Sequence, residues 1–118
     1  MLKRIVSFSL LAFAAPFAHA AGGLPSGTYM AGNLALTFAD HGKLELKEKD
    51  QVVMDGTWSS DASKVTITDK SGSYACAAPN ATGVYGWKMS GDTVTFTKQK
   101  DGCDDRASSL DGKSWKKS

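Results

Sequence analysis

"VYGWKMSGDTVTFTKQ", residues 84–99, decides the fold. Tyr85, Trp87 and Met89 alternate with Gly86 and Lys88. After "SGD" (90–92), Val94 and Phe96 alternate with threonines. A period of two puts one face of an extended chain into a core; a helix would need apolar residues three or four apart. Two such runs joined by a short turn of Ser, Gly and Asp predict an antiparallel hairpin.

The same rhythm continues in both directions. "KVTITD" (64–69) alternates Val65 and Ile67 with threonines. "QVVMDGTWSS" (51–60) is another strand, with Gly56 as a bulge or a point of close backbone approach. "KLELKEKD" (43–50) sets Leu44 and Leu46 against Glu45 and Lys47, and "NLALTFAD" (33–40) aligns Leu34, Leu36 and Phe38. "GTYMA" (27–31) opens the series, and "SYACAA" (73–78) reads as a further strand before the "PNATG" loop. The turns "DHGK" (40–43), "SSDAS" (59–63) and "DKSG" (69–72) separate the runs. No segment after residue 20 reads as a long helix. About eight short strands in sequence order predict an all-β, up-and-down antiparallel barrel, which removes exposed edges by closing. A two-sheet sandwich is the runner-up.

The first twenty residues stand apart from this pattern. Lys3 and Arg4 precede the apolar run Ile5 to Ala15, Pro16 follows, and Ala18-His19-Ala20 forms an A-x-A site. This predicts a signal peptide over 1–20, cleaved after Ala20, with one barrel domain over 21–118. The run is too short for a membrane span, so the mature chain carries no integral membrane segment. No cysteine follows the cleavage point to take a lipid. The signal suits bacterial export, and the expected location is periplasmic or secreted.

Without Lys3 and Arg4, twelve basic residues face twelve acidic ones. A neutral surface of mixed sign has no electrostatic footprint for nucleic acid. Cys76 and Cys103 are the only cysteines. An even count in an exported chain predicts one disulfide, a useful reinforcement for a domain with a modest core.

The second half carries a longer pattern. Cys76 is followed by Gly83-x-Tyr85-x-Trp87, then Gly91-Asp92-x-Val94-x-Phe96. Asp101-x-Cys103-x-x-Arg106, Leu110 and Trp115 complete it. This resembles small secreted bacterial domains of lipocalin-like (calycin) type, a largely uncharacterised group. The first half is similar more loosely, through Gly27-Thr28-Tyr29, Phe38, Gly42, Gly56-Thr57-Trp58, Val65 and Asp69. The resemblance implies a β-barrel with a small-ligand cavity, and no particular activity.

Catalytic and metal chemistry find little support. "DGCDDR" (101–106) lacks the D-x-D-x-D-G rhythm of a calcium loop, and its acids read as solvated turn residues. His41 is the only histidine after residue 20 and sits in a turn, so a zinc set and a nucleophile–base pair are both incomplete. Asn80-Ala81-Thr82 matches a glycosylation acceptor but reads as loop. No catalytic residue, metal or cofactor is assigned, and an enzyme is not expected.

The inward aromatic and apolar faces are the candidates for a ligand lining: Leu36, Phe38, Tyr74, Tyr85, Trp87, Met89 and Phe96. Filling of the core is the competing reading, slightly favoured by so short a barrel. Arg106 is expected to close one end by packing on Trp58, Trp87 or Trp115 while bonding carbonyls or Asp104. The chain therefore reads as an exported binding module for a small hydrophobic ligand. The alternatives are a protein partner, as for periplasmic protease inhibitors of similar size, and a structural envelope protein with no ligand.

Overall fold

A computed structural model describes residues 23–118. The expected signal peptide and its cleavage point lie outside these residues. Eight antiparallel strands form a closed barrel in sequence order. They are β1 (Gly27–Ala31), β2 (Leu34–Phe38), β3 (Lys43–Glu48), β4 (Gln51–Ser60), β5 (Lys64–Ser71), β6 (Thr82–Ser90), β7 (Thr93–Lys100) and β8 (Ser114–Lys117). A seven-residue helix, α1 (Asp104–Leu110), lies between β7 and β8. No helix among the described residues is long and apolar enough to cross a membrane.

Seven of the eight strands fall where the alternation places them. The exception is 73–78, which is irregular. There Tyr74 N–H donates to Val53 O and Ala75 N–H to Gly72 O, so the segment folds over the barrel instead of extending a ladder. The missing strand is β8, which closes the barrel by pairing Tyr29 with Lys117 and Met30 with Lys116. Its four residues bury only Trp115 strongly, which is too short a run for a period of two to show.

The core follows the alternation. Tyr29, Phe38, Leu44, Val65, Tyr85, Val94 and Phe96 are essentially sealed from solvent. Burying each such side chain stabilises the fold by roughly 1.5–3 kcal/mol. Gly56 acts as expected. The β4–β5 register shifts between Asp55 and Gly56, and a Cβ at Gly56 would stand 2.0 Å from Thr68 O. Only a glycine lets the two strands approach this closely.

The two ends of the barrel differ. One carries the short turns 39–42, 61–63 and 91–92 together with the incoming segment 23–26. Aromatic rings fill it: Phe38 meets Tyr29 at 5.7 Å and Trp58 at 5.1 Å, both edge-on, and tilts against Phe96 at 6.3 Å. Leu24 is buried there, its N–H donating to Ser60 Oγ, and Tyr29 donates to Pro25 O. The other end carries two long connections, 72–81 and 101–113. The disulfide Cys76–Cys103 joins these two connections.

Candidate functional site: a stapled, charged barrel end

The site is built where the two long connections meet. Arg106 lies one helical turn before Leu110, and both are buried on the face of α1 that turns inward. Its guanidinium grips Asp101 with both arms: Nε donates to Oδ2 at 2.7 Å and Nη2 to Oδ1 at 2.7 Å. Nη1 donates to Ala81 O and Nη2 to Asn80 O, each at 2.9 Å, so one arginine fastens α1 to the 72–81 connection. A paired fork of this kind is the strong form of a carboxylate contact.

Asp101 is saturated. Besides Arg106 it accepts from the Tyr85 hydroxyl and from the Cys103 N–H. Burial alone would raise its pKa, but the bonds from Arg106, Tyr85 and Cys103 outweigh burial and hold the carboxyl below its ordinary value. Burial, then the neighbouring Asp101, pushes the Tyr85 phenol well above its ordinary value. For Arg106, burial works against the charge, and the two carboxylates reverse that and raise its pKa.

Asp69 completes the cluster. Its side chain is 3% exposed, and Oδ1 lies 3.2 Å from Arg106 Nη1. Its Oδ2 accepts from Cys76 N–H at 2.8 Å, which ties the disulfide to the same network. Oδ1 itself has no hydrogen-bond partner among the described residues; the approach of Arg106 has the distance of an ion pair but not the angle of a hydrogen bond.

Beside this cluster the barrel holds a cavity of about 530 Å³. Its apolar wall is formed by Leu34, Leu36, Leu46, Met54, Ile67 and Trp115. Its polar side is formed by Asp69, Arg106, the α1 residues Asp105, Ser108 and Ser109, and the connection 73–76. A second, more open depression of about 440 Å³ lies at the opposite end, beside Leu24, His41 and Trp58. Among the described residues, its wall holds no buried ionisable side chain.

The expected lining residues divide between the two ends. Leu36 and Tyr74 line the cavity, Tyr74 from the exposed rim. Phe38, Tyr85 and Phe96 are 0% exposed and belong to the packed core. Trp87 and Met89 pack against that core without lining the cavity. Inward-pointing rings in a narrow barrel meet one another before they can enclose space, so core filling prevails at these positions.

The expected closing residues also separate. Trp115 lines the cavity and donates to Ser109 O at 3.3 Å. Trp58 stands at the opposite end, its indole N–H on Ala39 O. Arg106 does sit at a barrel end on carbonyls, but its charge meets Asp101 and Asp69 instead of an indole or Asp104. The three acids of "DGCDDR" are not alike: Asp104 and Asp105 are solvated, whereas the Asp101 side chain is fully covered.

Sequence reasoning missed Asp69, read as part of a turn. The signal was present, because Asp69 continues the inward parity of Val65 and Ile67. Leu46 and Leu34 carried the same signal, on the inward faces of their strands.

Fold and site together define a small, disulfide-stapled, closed antiparallel β-barrel with an amphipathic cavity at one end. Comparison with known proteins finds no matching family model, no matching curated protein and no matching solved structure.

Proposed function

We propose that the protein is an exported, lipocalin-like binding module that holds a small, largely apolar molecule in the cavity between β2–β5, β8 and α1. One observation carries this reading: a cavity of about 530 Å³ walled by leucines, Met54, Ile67 and Trp115 inside a closed barrel. Small-molecule sites are of about 300–1,000 Å³, mostly apolar, with a few polar groups on one side. The disulfide fits an oxidising compartment outside the cytoplasm. Binding, not catalysis, is the proposed role.

Native mass spectrometry of the protein purified from its own host tests the reading. A small apolar adduct, lost on substituting Leu36→Phe to fill the cavity, is the expected result. A stoichiometric protein partner with no adduct would move the weight to an interaction role. A bare chain that takes up no added hydrophobe would leave a structural one.

A further inference from the structure

The charges around the cavity speak to the head group of its ligand, an inference that rests on the binding reading above. A guanidinium has five N–H donors. Four of those on Arg106 are engaged, two by Asp101 and one each by Asn80 O and Ala81 O, and its Nη1 also faces Asp69. Arg106 therefore offers no free fork to an incoming carboxylate or phosphate.

The balance of charge runs the other way. One guanidinium stands against two covered carboxylates, Asp69 and Asp101, so the buried cluster carries one excess negative charge. Asp105 adds another to the cavity lining, and among the described residues no lysine lines it. Glu48 stands beyond the rim, accepting from the Tyr74 hydroxyl. Of the two carboxylates Asp69 is the one that reaches the cavity, beside the engaged Arg106, and its Oδ1 accepts no hydrogen bond from the described residues. A buried carboxylate without full compensation favours a cation nearby, because the protein interior screens charge weakly.

We infer that the cavity selects a cationic amphiphile, an apolar body with an ammonium head, and that Asp69 sets this preference. The body lies along Leu36, Met54, Ile67 and Trp115; the head lies at the polar side near Asp69 and Asp105.

Three probes of equal chain length test the inference on the unaltered protein: octylamine, octanol and octanoate at neutral pH. Calorimetry and the fluorescence of Trp115 report binding. The expected order is octylamine, octanol, octanoate, with at least a tenfold gap between the first and the last. Asp69→Asn narrows that gap toward one, and an unchanged far-ultraviolet circular dichroism spectrum reports that the barrel has folded. Should Asp69→Asn fail to fold, the exposed Asp105→Asn narrows the same gap by a smaller factor. Octanoate binding as tightly as octylamine overturns the inference while leaving the binding module standing. An Asp69→Asn variant with an unchanged gap overturns the role of Asp69. Binding of none of the three overturns the binding module itself.

Discussion

A Cβ atom on Gly83 would stand 2.6 Å from Asp101 Oδ2 and 3.1 Å from Arg106 Nε. The missing side chain is therefore the space in which the buried ion pair forms. β6 presents Gly83 and Tyr85 on one face, the first making room for the carboxylate and the second donating to it. Gly83→Ala is expected to destabilise the domain by about 1–3 kcal/mol, the usual range for overpacking a tight site. Asp101 cannot yield without loosening its grip on Arg106, so relaxation offers little relief. Chemical denaturation, with the midpoint shifted at constant slope, is the measurement; an unshifted midpoint would show that the cluster has slack.

Arg106 separates charge from geometry. Arg106→Met leaves Asp69 and Asp101 buried without a counter-charge, which is expected to destabilise the domain by roughly 3–5 kcal/mol. Arg106→Lys keeps a positive charge but loses the fork on Asp101 and the reach to Asn80 O and Ala81 O. Hydrogen bonds to charged groups contribute about 1.5–3 kcal/mol, so the lysine variant falls between wild type and the methionine variant. Thermal melts order the three proteins. A lysine variant equal to wild type would mean that charge alone holds α1 against the 72–81 connection.

Stability should depend on acid through Asp101. Its carboxyl ionises below its ordinary value in the folded protein, so the unfolded chain binds a proton more readily than the native one. The stabilisation is complete above the unfolded value of about 3.9 and is lost as pH falls through the lower folded value. The melting temperature is therefore expected to fall from about pH 4 downward on this account, and Asp101→Asn to flatten that slope. Melts between about pH 2 and 6 on both proteins decide the matter. Parallel slopes would assign the acid sensitivity to other carboxylates.

The barrel was legible because its signal is repeated. Leu34, Leu36 and Phe38, or Val65 and Ile67, each show the period of two, and the short turns between them impose the antiparallel order. β8 was hidden because a four-residue strand shows no alternation, and 73–78 misled because β-compatible residues stand where a disulfide and Asp69 hold the backbone in a turn. The cavity was half legible. Inward parity identifies residues that face the lumen, but which rings fill it and which leave space depends on contacts across the barrel. Phe38 and Phe96 are far apart in sequence and meet only in the closed structure. Asp69 shows the cost of giving turn chemistry precedence over parity: an aspartate next to "KSG" reads as turn, although its position on β5 turns it inward.

The disulfide is expected to matter more for the cavity end than for the barrel as a whole. Cys76 and Cys103 are 27 residues apart, with Cα atoms at 6.2 Å. A closed loop of this size stabilises a fold by roughly 3–4 kcal/mol in the chain-entropy view. Cys76→Ser with Cys103→Ser should lower global stability by about that amount. The ladders from β1 to β7 do not depend on the staple, whereas the 72–81 connection is held to α1 by only the disulfide and the Arg106 network. Hydrogen exchange should therefore show the largest loss of protection at Tyr74, Ala75 and Asn80, whose N–H groups bond to Val53, Gly72 and Ala77 outside the strand ladders. The Leu44 and Val65 amides, on strands paired on both sides, should change only through global unfolding. Uniform loss across the barrel would mean that the staple supports the whole fold equally. Protection kept at 72–81 would assign the fastening to Arg106 alone.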